Sequence, residues 1–347
     1  MSLRPLRGST PEVVAALRDW LAVEAEPEPL IVETSGSTGR PKRVLLSRRA
    51  LTASATATHE RLGGPGRWLL TLPASYVAGL QVVVRSLLAG HEPAVLGDQP
   101  FAEAAAGCRY VSLVPTQLHR LLADSRDREA LAGFGAVLLG GGPMDPGLRA
   151  RAEAAGVRVV ATYGSSETCG GCVYDGVPLD GVEIDLEKQE GVQEGGRIRI
   201  RGPVLFDGYE GDPALTAESL VDGWFVTADL GRLDDGRLRV LGRVDDVVIS
   251  GGVNVPTPAV ARRLRTHPDV TAVEVIGVDD PEWGQRVVAA VVGRLTLDQA
   301  REWVAVEHPR SWAPRDLLVL DALPMLATGK VDRLRLRTLA DNRPEDA

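Results

Sequence analysis

Read for its spacing of apolar and polar positions, the chain breaks into short segments of alternating type. "TPEVVAALRDWLAVE" opens on Thr-Pro and repeats apolar residues at helical intervals. "PLIVE" reads as a buried strand, and "SRRALTASATATHERL" as a helix entered through a loop. "RWLLTLP" is strand-like and "GLQVVVRSLLAG" helical; "YVSLVP" and "TQLHRLLADS" repeat that order. "AVLLGGGP" is a strand running into glycines, followed by a helix in "DPGLRARAEAAG" and a strand in "RVVATYG". Strands and helices in alternation predict an α/β protein with a mostly parallel sheet.

The texture changes after Gly181. "GRIRIRGPVLFDGY" and "GWFVTADLGRLDDGRLRVLGR" alternate with period two and carry D-G turns, which predicts a small antiparallel β part. From Val244 the pattern becomes a smaller α+β unit. "DVVISGGVNV", "VTAVEVIGV" and "RVVAAVVG" read as strands, "TPAVARRLRTH" and the stretch around "LDQAREWVAVE" as helices. The boundary falls within Gly242–Asp246. It divides a large N-terminal domain, 1–243, from a small C-terminal domain, 244–347.

Composition narrows the function. A chain of 347 residues that is 44% apolar can bury two cores, and a net charge of −8 argues against general nucleic-acid or membrane-surface binding. Cys108, Cys169 and Cys172 make no disulfide framework, and the C-x-x-C pair Cys169–Cys172 has no second ligand pair nearby for zinc. "MSLRPLRGSTPEVV" lacks a signal-peptide core, and the longest apolar run, "VAGLQVVVRSLLAG", is short and holds Arg85. A reduced, cytoplasmic, soluble protein is expected.

"IVETSGSTGRPKRV" carries candidate chemistry. After Glu33 the large apolar side chains stop, and Ser, Thr and Gly take over. Hydroxyls and backbone N–H groups at the end of a parallel strand suit phosphate oxygens, and Lys42 adds a point charge. The spacing is not a Walker A loop; a solvated turn is the plainer alternative.

"TSGSTGRPK" resembles, nearly letter for letter, the phosphate loop of the adenylate-forming superfamily, which includes acyl-CoA synthetases and peptide-synthetase adenylation domains. "LPASYVAG", "SLVPTQL", "LLGGGP", "TYGSSET", "GRIRIRGPVLFDGY", "GWFVTADLG", "GRVDDVVISGGVNVPTP", "HPDVTAVEVIGVDDPEWGQRVVA" and "LPMLATGKVDR" continue the resemblance in order, from about Ile31 to Arg333. It implies a mobile C-terminal domain and a reaction in which a carboxylic acid attacks ATP and the acyl-adenylate passes to coenzyme A, with Mg2+ bound. Thr34, Ser35, Gly36, Ser37, Thr38, Gly39 and Lys42 would hold the β- and γ-phosphates, with Glu167 on Mg2+. Ser166, standing where the family usually has Thr, would reach the α-phosphate. Gly140, Gly141 and Gly142 would floor the purine, flanked by Thr162, Tyr163 and Gly164. Asp229 and Arg243 would hold the ribose. Lys330 would bridge the attacking carboxylate and the α-phosphate, which makes Lys330, Thr38, Glu167 and Arg243 the catalytic set. Asp245, rather than Asp246, would be the hinge, and Ser250, Gly251 and Gly252 would line a pantetheine tunnel. Singly, each has a plainer reading: Lys330 a solvated lysine, Asp229 a turn residue, Tyr163 a core aromatic, Gly251–Gly252 a β-turn.

The acid site would involve Ser75, Tyr76, Gly79, Arg85 and Ser165. "LPASYVAG" lacks the histidine that many relatives place there, and the segment ahead of the phosphate loop is shorter than usual, implying an N-terminal subdomain that is mostly missing. The run around Arg85 resembles the corresponding helix of o-succinylbenzoate–CoA ligases of menaquinone synthesis, and the short N-terminal region is similar to their actinobacterial form, which implies that acid as substrate. Arg85 would then attract the second carboxylate; otherwise it pairs with a distant acid or snorkels to the surface. The alternatives are another aryl- or acyl-CoA ligase, an adenylation enzyme loading a carrier protein, and a nucleotide-binding relative without activity. Partners would be the carboxylic acid, ATP and CoA, with no nucleic acid and no membrane; a homodimer is the one protein assembly considered.

Overall fold

The structure, a computed structural model, describes residues 2–34, 42–142, 144–188, 195–326 and 331–341. The alternating segments of the first half form a seven-stranded sheet. Its order is Val177–Pro178, Gly170–Tyr174, Val159–Ser165, Ala136–Leu139, Tyr110–Leu113, Trp68–Leu70, Ala94–Val95. From Val159–Ser165 to Ala94–Val95 every pairing is parallel; the remaining two strands join antiparallel. The central strands Trp68–Leu70, Tyr110–Leu113 and Ala136–Leu139 are buried along their whole length, which is why they read as unbroken apolar runs. Leu69, Val111, Leu113, Val137 and Leu139 pack with Leu118, Leu131 and Leu148 from the helices.

One expectation is corrected. Leu30–Thr34 does not join the parallel sheet. It pairs antiparallel with Lys42–Leu46, which in turn pairs with Gly208–Tyr209. The connection, residues 35–41, is far too short for the dozen or so residues that a parallel crossover needs.

Cα proximity groups the chain into two units. One is Met1–Asp185 with Arg199–Thr227 and Asp234–Leu238; the other is Arg239–Ala347 with Leu186–Ile198 and Ala228–Leu233. In the second, a sheet runs Val253–Pro256, Val247–Ser250, Gly284–Gly293, Val270–Asp280, with Asp316–Val319 parallel to Gly284–Gly293. Alternate residues of its long strands feed two cores. Val275 and Ala289 pack with Val260, Leu264 and Val304 on one face; Ile276 and Val288 pack with Leu318 and Leu336 on the other. No helix among the described residues is long and apolar enough to cross a membrane.

Helix Val77–Leu88 is held close to the loop before it. A Cβ on Gly79 would lie 2.2 Å from the Pro73 carbonyl oxygen. Backbone cannot yield as a flexible side chain can, so Gly79→Ala is expected to destabilise the fold by about 1–3 kcal/mol, the usual cost of overpacking. Chemical denaturation checks this; an unchanged midpoint would show that the loop relaxes freely.

Candidate active site

Parallel strands present their following loops at one edge of a sheet, and three sequence-predicted segments meet this rule. Ser75 and Tyr76 follow Trp68–Leu70, with Tyr76 at the N-terminal cap of helix Val77–Leu88. Gly140, Gly141 and Gly142 follow Ala136–Leu139. The neighbouring strand, Val159–Ser165, carries Thr162, Tyr163, Gly164 and Ser165. Its register sets Ala161 opposite Leu139, and the Thr162 hydroxyl donates to the Leu139 carbonyl at 3.2 Å, so the glycine run and the Tyr163 segment are adjacent. The strand ends in a 3-10 turn, Ser166–Thr168. The Ser165 N–H donates to Thr168 Oγ1 at 2.8 Å, while Ser165 Oγ is buried with no hydrogen-bond partner among the described residues.

Glu167 lies in that turn and is 9% exposed. The Tyr209 hydroxyl donates to its Oε1 at 2.9 Å, and the Phe206 N–H donates to its backbone carbonyl at 2.9 Å. Tyr209 reaches Glu167 from a different sheet. It is paired with Val44 across the strands Gly208–Tyr209 and Lys42–Leu46, and Thr34 is paired with Lys42 on the far side. Directly opposed residues share a face, and alternate residues return to it, so Thr34, Lys42, Val44 and Tyr209 stand on one side of this small sheet. Lys42 Nζ accordingly sits 5.1 Å from the Tyr209 ring centroid. Burial, then the Glu167 charge, hold the Tyr209 phenol protonated far above its ordinary range. Tyr209 was passed over at the sequence level although it closes the quoted "FDGY". A pairing partner in a distant strand was needed to reveal it.

Mg2+ fits this carboxylate. Oε1 is taken by Tyr209, and no other side chain among the described residues hydrogen-bonds the group. No cluster of three or more His, Cys, Asp or Glu suited to a metal exists among the described residues.

Arg85 stands on helix Val77–Leu88, the helix that Tyr76 caps. It is 3% exposed, its Nη2 donates to the Tyr174 hydroxyl at 3.4 Å, and its guanidinium lies 5.1 Å from the Trp68 ring centroid. Snorkelling is ruled out by that burial. Neither Asp nor Glu pairs with it among the described residues, and Nε has no partner. Tyr174 also shares a 2.9 Å hydrogen bond with Thr58 Oγ1, and His59 Nε2 is buried without a partner.

In the second unit, Asp229 and Arg243 form an ion pair at 3.6 Å, uniting the two ribose candidates. Ser250 is buried and accepts from Arg315 Nε at 3.3 Å; the Arg315 guanidinium stacks 3.3 Å from the Trp283 ring centroid. Gly251 and Gly252 are the two-residue turn joining Val247–Ser250 to Val253–Pro256, with φ of +57° and +77°. The turn by itself accounts for both glycines. A Cβ on Gly251 would also meet Trp283 at 2.6 Å. The backbone of Asp245 belongs to the 3-10 turn Val244–Asp246. Ser35, Gly36, Ser37, Thr38, Gly39 and Lys330 lie outside the described residues. Cys169 and Cys172 are free thiols, both buried, with Cys172 pushed up to about 12 by burial.

Comparison with known proteins places the chain in a class. The AMP-binding enzyme family model matches residues 24–210, and that of the AMP-binding enzyme C-terminal domain matches residues 260–330. The chain belongs to the AMP-binding enzyme family. A probable 2-succinylbenzoate–CoA ligase of Mycobacterium tuberculosis is 45% identical over 361 aligned positions, covering 96% of this chain and 92% of the relative. The 2-succinylbenzoate–CoA ligase of Escherichia coli is 33% identical over 316 positions, covering 88% and 67%. Among solved structures, o-succinylbenzoate CoA synthetase of Bacillus subtilis with the acyl-adenylate OSB-AMP superposes with a TM-score of 0.76 at 29% identity, covering 88% of this chain and 68% of that one. ATP-bound MatB of Rhodopseudomonas palustris superposes with a TM-score of 0.81 at 26% identity, covering 90% and 68%.

The buried pair Arg85 and His59 has a consequence in pH. Burial first, then the Arg85 and Arg109 charges, lower His59 to about 4. A histidine depressed below its ordinary value, near 6.5, takes up a proton on unfolding, so its contribution is fully present above about pH 6.5 and is lost as pH falls towards 4. The melting temperature is expected to fall through that window, and less steeply in His59→Gln. Parallel profiles for the two proteins would assign the slope to other groups.

Proposed function

We propose that this chain is an ATP-dependent acid–CoA ligase working through an acyl-adenylate, with o-succinylbenzoate as its acid. The geometric observation that supports it best is the convergence of a cation, Lys42, and a carboxylate, Glu167, on Tyr209 beside the strand that carries Tyr163 and Ser165. The substrate is supported by the Mycobacterium tuberculosis relative, which is 45% identical and covers 96% of this chain.

The first half-reaction brings two anions together. A carboxylate oxygen of the acid attacks the α-phosphorus, the bond to the β-phosphate breaks, and pyrophosphate leaves. The need is for cations and N–H donors rather than a nucleophilic side chain. Thr34, the loop residues 35–39 including Thr38, and Lys42 take the β- and γ-phosphates; Ser166 reaches the α-phosphate. Glu167 holds Mg2+, which when bound supplies charge neutralisation on the phosphates. Gly140 to Gly142, Thr162, Tyr163 and Gly164 receive the adenine, and Asp229 with Arg243 the ribose. Ser75, Tyr76, Gly79 and Ser165 belong to the acid site; the unpartnered Ser165 Oγ is a hydroxyl available to a ligand. In the second half-reaction the CoA sulfur attacks the acyl carbon and AMP leaves. Rotation about Asp245, at the 243/244 division, would exchange Lys330 for the Ser250–Gly252 turn. The cytoplasm is the proposed location. A homodimer is the form proposed in solution, with no nucleic-acid or membrane partner.

Incubation with ATP, CoA and a panel of acids, followed by mass spectrometry, is expected to give the thioester of o-succinylbenzoate and CoA-dependent AMP release. A different thioester would move the substrate to another aryl or acyl acid. AMP release independent of CoA would favour carrier loading.

Lys330 is assigned to one half-reaction only. Lys330→Ala is expected to abolish adenylate formation while leaving thioester formation from supplied acyl-adenylate largely intact; equal loss in both would remove the assignment.

Arg85 is proposed to act on the acid's second carboxylate. What supports this is a buried guanidinium without an anionic partner among the described residues, an arrangement that is costly unless an anion arrives. Arg85→Ala should cost about 1.5–3 kcal/mol in kcat/KM with the diacid and little with a monoacid lacking the benzoate carboxylate. Equal losses would make Arg85 structural.

A further inference from the structure

We propose that Tyr209 is a positioning residue that sets two charges of the site at once: its hydroxyl orients the Glu167 carboxylate towards Mg2+, and its ring seats the Lys42 ammonium. The inference rests on the reading of Glu167 as the metal carboxylate.

The phenol has one proton to give, and Glu167 Oε1 takes it at 2.9 Å. A carboxylate on a flexible side chain can turn about its last torsion, whose wells are broad. One hydrogen bond to one oxygen favours the orientation in which Oε2 is the free ligand. Tyr209 is itself held by its surroundings. It is 5% exposed, its N–H donates to Thr216 Oγ1 at 2.9 Å, and its ring meets Phe206 edge-on at 4.9 Å. The Phe206 N–H binds the Glu167 carbonyl at 2.9 Å, so the same short segment grips Glu167 by backbone and by side chain.

The other function of the residue is separable. Lys42 lies over the ring at 5.1 Å, within cation–π range, and the ring would keep this contact without its hydroxyl. Hence Tyr209→Phe should free Glu167 alone, and Tyr209→Leu should free both charges.

The test is a binding measurement without turnover. Mg2+ is titrated by calorimetry into the full-length enzyme saturated with α,β-methylene-ATP, in the absence of acid. Tyr209→Phe is expected to weaken Mg2+ about 10-fold, the lower range for groups that orient a metal ligand. Affinity for the nucleotide analogue without metal should stay at the wild-type level in Tyr209→Phe and fall in Tyr209→Leu. Glu167→Gln should weaken Mg2+ as well. In the double variant Tyr209→Phe, Glu167→Gln, the loss should equal that of Glu167→Gln alone, because a residue acting through Glu167 has nothing left to orient. A full additional loss in the double variant would make Tyr209 merely structural and overturn the proposal. So would wild-type Mg2+ affinity in Tyr209→Phe when Glu167→Gln is impaired. Wild-type affinity in Glu167→Gln would instead overturn the assignment of Mg2+ to Glu167, and the positioning role with it.

Discussion

The pairing of Gly208–Tyr209 with Lys42–Leu46 is the join on which the site depends. Tyr209 and Glu167 are 42 residues apart, and Lys42 is more distant still; only this register brings them together. Strand register is unforgiving, since a slip of one residue turns every side chain to the other face. Such a slip would aim Tyr209 to the side of Leu45, away from both charges. The register is held in two ways. Asp207 and Glu210 donate backbone N–H groups to Leu45 and Arg43 at 2.9 and 2.8 Å. Val44 and Leu46 are fully buried while Leu45 is only partly so, which sets the face by burial.

That join matters because the chemistry is electrostatic. Two unit charges 4 Å apart interact by about 1 kcal/mol in water but about 4 kcal/mol at the effective dielectric of a protein surface. A carboxylate 9% exposed therefore acts strongly on its surroundings, and leaving it unpaired would be costly. The Tyr209 hydrogen bond offsets part of that cost before any ligand arrives. It also keeps the carboxylate pre-aimed, so less reorganisation remains when phosphate charge enters.

The parallel sheet was legible because its strands are buried on both faces and its helices are not, which writes unbroken apolar runs between periodic ones. The glycine run and the "TYGSSET" segment were legible for the same reason, since both stand directly after such strands. Lys42–Leu46 was not. Its cations and its place after a hydroxyl-rich loop disguised a strand whose identity comes from pairing on both sides. Tyr209 was hidden because its partner lies in another sheet. Arg85 fell between: its aliphatic neighbours announced burial, but local sequence could not name Tyr174 and Trp68 as its surroundings.

Packing treats the two adjacent aspartates proposed as hinge candidates, Asp245 and Asp246, differently. Asp246 is tied at both of its polar ends. Its carboxylate pairs with Arg333, which also binds Glu274 at 2.6 Å, and its carbonyl accepts from Thr257 Oγ1 at 2.8 Å. All four residues belong to the C-terminal unit. Turning the chain at Asp246 would strain an ion pair shared among three side chains and break a hydrogen bond to the helix Thr257–Arg265. A turn one residue earlier leaves these intact; it opens the 3-10 bond from the Val247 N–H to the Val244 carbonyl and the Arg262 hydrogen bond to the Leu241 carbonyl. These ties hold Asp246 to its own unit, which supports Asp245 as the proposed hinge. Arg333 stands three positions from Lys330 in the chain, so the clamp on Asp246 includes a residue of the same "ATGKVDR" motif.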